Sequence, residues 1–153
     1  MDRVTFIIDG FNLYHSIREA AKDFKTKSTT QDVKSKSVKW LDINSLCSSY
    51  IYLFGKTAVL QEIYYFSALA KHLEARNANV TKRHQDFIQC LETTGVKTEI
   101  NRFKKKTMTC PSCKCRFDKY EEKETDVAVA IKLLELLLRI AATPWCSLQA
   151  TLI

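Results

Sequence analysis

The stretch Val4-Thr5-Phe6-Ile7-Ile8-Asp9-Gly10-Phe11-Asn12-Leu13 constrains the fold more than any other part of the chain. An unbroken run of β-branched and aromatic residues reads as a strand buried on both faces, which is the habit of parallel sheets covered by helices. Asp9 then stands at the carboxyl end of that strand, where open α/β sheets place their ligands. Gly10 permits a sharp turn, and Asn12 is suited to cap a helix beginning near Leu13. The plainer alternative is an ordinary Asp-Gly turn followed by an ordinary cap.

The rest of the chain alternates in the same manner. Leu13, Ile17, Ala20 or Ala21, and Phe24 have helical spacing, and Lys25 to Lys39 is a polar stretch expected to be a loop. Asp42 is placed to cap a helix through Ile43, Leu46, Cys47, Tyr50 and Phe54 that stops at Gly55. Val59 to Phe66 reads as a second strand, Thr81 to Thr94 as a helix, and Val96 to Phe103 as a third strand. Strands alternating with helices predict an α/β domain with a parallel sheet and helices on both faces. At 153 residues and 46% hydrophobic composition, one domain with a proper core is expected.

The last clear element is a helix from about Tyr120 to Ala142. Lys132, Glu135 and Arg139 fall at i, i+3 and i+7 and predict one narrow solvent stripe. Asp126 lies far round from that stripe, among Val127, Ala130 and Leu134, with Glu122 one turn earlier on the same side. A carboxylate on an apolar helix face is costly unless it is paired or holds a cation. The alternative is a carboxylate in the first turn, where the helix dipole favours it.

Taken together, Ile7-Ile8-Asp9-Gly10-Phe11-Asn12-Leu13 and Glu122-Lys123-Glu124-Thr125-Asp126-Val127-Ala128-Val129-Ala130 resemble the first and second motifs of NYN domains, which are PIN-like nucleases. The resemblance runs from Asp2 to about Arg139. It implies a three-layer α/β/α PIN-like (Rossmann-like) sheet whose carboxyl edge gathers acids that bind Mg²⁺ or Mn²⁺ and hydrolyse RNA. It also implies that Asp9 and Asp126 are metal-site carboxylates, with Asn12 as a polar companion and Glu122 and Lys123 in supporting positions. Such an ion takes oxygen ligands and keeps several waters, so a few carboxylates plus a substrate phosphate can hold it.

The net charge of +7 suits a polyanion as partner, although it also serves solubility. Arg102, Lys104, Lys105 and Lys106, with Lys82, Arg83 and His84, are the groups expected to hold an RNA backbone; a solvated charged face is the alternative. RNA is therefore the expected partner, and a homodimer is left open. No window approaches the length of a membrane span, and the N-terminus has no basic region before its apolar run. A cytoplasmic setting is expected, with the six cysteines as thiols or metal ligands.

The third motif of NYN domains, a strand ending in Gly-Asp-x-Asp, has no counterpart, and no acidic residue follows Glu135. Codons permitted for Ala142 to Ile153, read in another frame, allow Asp-Thr-Met-Val-Leu-Thr-Ser-Gly-Asp-Thr-Asp. A frameshift near Arg139 is therefore one account of an aberrant tail over residues 143–153; a short paralogue that matches by code degeneracy is the other. The domain over residues 1–142 is expected to lack its normal last strand and to leave strand one with an open edge, unless Ser147 to Ile153 pairs there without bringing a carboxylate. At best half a metal site and weak nuclease activity are expected.

Cys110-Pro111-Ser112-Cys113-Lys114-Cys115 forms a CxxC turn with a third thiol, inside an insertion at about residues 108–118. Such a turn aims two thiolates at one tetrahedral ion, making Cys110, Cys113 and Cys115 candidate structural Zn²⁺ ligands. Cys90, His84 or another copy of the chain would complete the shell. Free thiols and a redox pair are the alternatives.

Overall fold

The computed structural model describes residues 2–27, 40–141 and 148–152. Strand β1 (Arg3–Asp9) leads without a break into α1 (Gly10–Lys27); α2 (Ile43–Tyr50) is followed by a 3₁₀ turn over Ile51–Phe54. Then come β2 (Val59–Leu69), α3 (Val80–Thr93), β3 (Lys97–Thr109), β4 (Arg116–Lys123), α4 (Thr125–Ala141) and β5 (Leu148–Leu152). The five strands lie in the order β4-β3-β2-β1-β5. Every pairing is parallel except β3 with β4.

The α/β architecture is the one expected, and its layering follows from connection handedness. The chain steps outward from β1 to β2 to β3, so right-handed crossovers put the intervening helices on one face. Stepping back past β1 to β5 reverses the direction and puts α4 on the other face. Two cores record this. Val4, Phe6 and Ile8 of β1 join Ile63 and Tyr65 of β2, Ile43 and Cys47 of α2, and Leu91 of α3. On the opposite face Ile7, Tyr64 and Phe66 pack against Leu136, with Ala128 and Val129 beside them. The strict alternation of β1 between these cores is why every residue from Val4 to Ile8 is apolar or β-branched. Full burial of a large apolar side chain contributes about 1.5–3 kcal/mol, so the buried runs of β1 and β2 anchor the sheet.

Two expectations need correction, and one alternative is met: within the Ser147 to Ile153 segment left to cover the edge of strand one, β5 pairs with β1 from Arg3↔Leu148 to Ile7↔Leu152. The cysteine-rich insertion is a two-stranded arm, because β3 continues to Thr109 and β4 returns antiparallel from Arg116. Consequently α4 begins at Thr125 rather than Tyr120, and Glu122 is a strand residue opposite Phe103. The arm has charged residues on both faces and lacks the apolar alternation that would mark it as sheet. Of the predicted loop at Lys25 to Lys39, residues 25–27 belong to α1 and residues 28–39 lie outside the described residues.

Candidate functional site at the carboxyl edge of the sheet

Asp9 ends β1, the strand from which the chain departs in one direction to β2 and in the other to β5. In an open α/β sheet this is the switch point, where the connections diverge and leave a crevice. The Asp9 carboxylate is held in place on both oxygens. Oδ1 accepts from the backbone N–H of Phe11 at 2.9 Å and of Asn12 at 3.1 Å, and Oδ2 accepts from the Asn12 side-chain amide at 2.8 Å. Asp9, not Asn12, therefore caps α1, and the helix starts at Gly10 rather than near Leu13. Asn12 acts as the clamp on that cap. Each carboxylate oxygen has two lone pairs, so these bonds fill Oδ1 and leave one acceptor position on Oδ2.

Gly10 is required for a different reason from the one its place in the turn suggests. A Cβ there would lie 2.3 Å from both Cζ and the hydroxyl of Tyr65. Tyr65 is buried and packs edge-on against Phe87, so the ring has nowhere to go. Close approach of α1 to β2, not a left-handed turn, excludes a side chain at this position.

The first turn of α4 reaches the same edge through β4. That strand ends at Lys123 opposite Arg102, and Glu124 makes the turn into the helix with φ +78°, a left-handed conformation costly for a non-glycine residue. The Asn101 side-chain amide donates to the Thr125 hydroxyl at 3.2 Å, fixing the helix start to β3. Thr125 is buried and Asp126 exposed. Asn101 is two strands across from β1, which puts the start of α4 on the order of 10 Å from Asp9.

Asp126 is not on a buried face. Helix α4 docks through Ala128, Val129 and Leu136, which turns Val127 and Leu134 outward and Asp126 into solvent at the positive end of the helix dipole. Of the stripe expected to face solvent, Arg139 is exposed and Glu135 half-buried, whereas Lys132 is tied to the sheet. Lys132 is only 17% exposed, pairs with Glu99 at 3.2 Å and Glu135 at 2.8 Å, and lies over the Tyr64 ring.

The basic candidates divide into two groups. Lys104, Lys105 and Lys106 lie within β3 rather than after it, and pair with Glu124, Asp118 and Glu121 respectively. Lys82 and Arg83 are exposed in the first turn of α3, which starts beyond the carboxyl end of β2. Arg102 is exposed on β3 near that same edge. His84, a candidate zinc ligand by sequence, instead has its Nε2 3.3 Å from the hydroxyl of buried Ser67 at the end of β2. Burial pushes the His84 imidazole below its ordinary pKa of 6.5. Sequence reasoning missed Ser67, Asn101 and Thr125, because each acts through a neighbour distant in sequence and none belongs to a local pattern.

The arm carries the three thiols to its tip. The backbone N–H of Cys110 donates to the Cys115 carbonyl and that of Lys114 to the Cys110 carbonyl, both at 2.9 Å, with Lys114 left-handed at φ 60°. Hydrogen bonds from the Cys115 backbone and from the Cys110 and Cys115 side chains lower the Cys113 pKa below the ordinary thiol value of 9.0. The arm runs seven residues past Arg102 to Thr109, roughly 23 Å at strand rise, which puts His84 and Cys90 of α3 out of reach of the tip. Among the described residues, no three His, Cys, Asp or Glu side chains stand ready to share a metal ion.

Asp9 with Asn12, Asp126 behind Thr125, and the α3 cations thus gather at one edge, whereas the cysteines and most of the lysine triplet lie out along the arm. None of the helices among the described residues is long and apolar enough to cross a membrane. Comparison with known proteins gave no match, whether to a family model, a curated protein or a solved structure.

Proposed function

We propose that this chain is a PIN-like domain of the NYN type whose carboxyl edge is a metal-dependent ribonuclease site with a reduced set of acids. The observation that carries the reading is the convergence of Asp9 and the Asp126-bearing turn of α4 on the switch-point edge of a mostly parallel sheet. Two carboxylates satisfy the minimum for Mg²⁺ or Mn²⁺, which completes its shell with water and substrate phosphate. The ion, when bound, supplies an activated water and neutralises charge on the scissile phosphate. Within the chain, Asn12 fixes the Asp9 carboxylate before substrate arrives, and Lys82, Arg83 and Arg102 hold the RNA backbone beside it. The neighbouring strand β5 brings Leu152 to the level of Ile7 and contributes no acid to the edge. Activity is accordingly weak. Cleavage of single-stranded RNA with Mg²⁺ or Mn²⁺, compared with EDTA and with Asp9→Asn, tests the reading. It expects slow cleavage abolished by either treatment; robust turnover indifferent to Asp9 refutes it.

A second reading, an RNA-binding module without catalysis and with a zinc-stabilised arm, is favoured by one observation. The three cysteines share a tip closed by two backbone hydrogen bonds. A second copy of the chain would have to complete the zinc shell. Metal analysis of protein purified without added zinc distinguishes the two: stoichiometric zinc with no cleavage favours the second. Either reading suits a reducing compartment such as the cytoplasm.

A further inference from the structure

Helix α4 is apolar nearly all round, yet it buries only one side. Leu136 and Val129 face the sheet. Diametrically opposite, Val127, Ile131, Leu134 and Leu138 are 58%, 61%, 57% and 61% exposed, flanked by Leu137 at 50%. A helix with this composition is normally covered on both sides. The charges that would ordinarily solvate it are drawn to one flank, where Lys132 pairs with Glu99 and Glu135, and Arg139 pairs with Glu135. No charged residue interrupts the outer stripe.

Its spacing says what covers it. Val127, Ile131, Leu134 and Leu138 succeed one another by four, three and four positions, the seam of a helix pair. That order is the same read from either end. A two-fold axis across the middle of the stripe therefore sets Val127 of one copy against Leu138 of the other, and Ile131 against Leu134. Self-complementarity of this kind is what an isologous interface requires. The exposed aliphatic patch is on the order of 500 Å², so pairing two copies removes about 1,000 Å² from water, the lower limit for a specific interface. We propose that the outer face of α4 is a homodimer interface in which the two α4 helices pack antiparallel about the centre of this stripe.

Analytical ultracentrifugation of the full chain at micromolar concentration tests this, with helicity followed by circular dichroism. The expected result is a dimer, dissociated at least 100-fold more readily by Ile131→Lys or by Leu134→Lys, each of which places its charge outward and leaves the sheet-facing side intact. Tyr52→Lys, at a residue 72% exposed away from α4, leaves the dimer unchanged. Orientation is read from cysteine crosslinking. Mixed Val127→Cys and Leu138→Cys chains form a bridge between the two positions, and Val127→Cys alone does not bridge to itself. A monomeric wild type, a dimer insensitive to both lysine variants, or a Val127–Val127 bridge overturns the proposal. Were the lysine variants to unfold, the crosslinking pattern still decides.

Discussion

The Asn12 side-chain amide and its own backbone N–H both bind the Asp9 carboxylate, at 2.8 Å and 3.1 Å, one to each oxygen. One residue thereby fixes the position and the rotation of the acid. The cap and the site are the same group, and substitutions can separate them. Asn is as good an N-cap as Asp, so Asp9→Asn leaves thermal stability within about 0.5 kcal/mol of wild type while abolishing metal-dependent cleavage. RNA affinity stays the same or rises, because a negative charge facing phosphate has gone. Asp9→Ala costs about 1 kcal/mol in addition. Denaturant melts and cleavage assays on the pair check both statements.

Gly10→Ala drives a methyl group into the buried Tyr65 ring. Overpacking of this kind costs about 1–3 kcal/mol. Because the clash is with one side chain, a double-mutant cycle with Tyr65→Leu should recover part of the loss, giving a coupling energy above about 0.5 kcal/mol. Additive losses would mean that the glycine is needed for its backbone instead.

Stability should fall on mild acidification through His84. Its folded-state pKa lies below the unfolded value of 6.5, so the unfolded chain takes up the proton first. The contribution of neutral His84 is complete above pH 6.5 and is lost progressively as pH falls through that value toward the lower folded pKa. Asp42, whose pKa is lowered by its cap bonds to Ser45, loses its contribution in a separate window beginning near 3.8. Urea melts between pH 7.5 and 5 should show the first loss, and His84→Gln should flatten it.

The basic residues should not contribute equally to RNA binding. Lys104, Lys105 and Lys106 already face acids across the arm, whereas Lys82 and Arg83 stand in the first turn of α3 at the site edge. Replacing Lys82 and Arg83 by Ala should lower the slope of log affinity against log salt by about 1 for each phosphate no longer neutralised, and replacing Lys105 should lower it less. Fluorescence anisotropy over a salt series checks the order.

Thiol reactivity offers a separate test of the arm tip. Exposed Cys113 has its pKa lowered by its neighbours, whereas burial raises that of Cys47 to about 11. Limited alkylation near neutral pH should therefore label Cys113 before any ordinary thiol and leave Cys47 untouched until the protein unfolds. Peptide mass mapping reads the order directly.

Much of the scaffold is written in local pattern. The β1 run, the Asp42 cap that accepts from Ser45 N–H, the second strand, and the stops at Gly55 and Gly95 with φ 117° and 85° all follow from periodicity and turn chemistry. What escaped is what depends on tertiary partners. Strand β4 carries charges on both faces and exists because it pairs with β3. The docking side of α4 could not be read from Lys132, Glu135 and Arg139, because the sheet supplied Glu99 and Tyr64 as partners for Lys132. Asp126 was legible as an acid at the start of a helix; its solvent exposure depended on which apolar stripe the sheet selected. The cap role of Asp9 was within reach, since an Asp directly before a helix is a better cap candidate than an Asn within its first turn.

The most direct test of the central claim is Mn²⁺ binding followed by electron paramagnetic resonance, on wild type, Asp9→Asn and Asp126→Asn. One weak site is expected, and either substitution removes it. Mn²⁺ binding that survives both substitutions would contradict that claim.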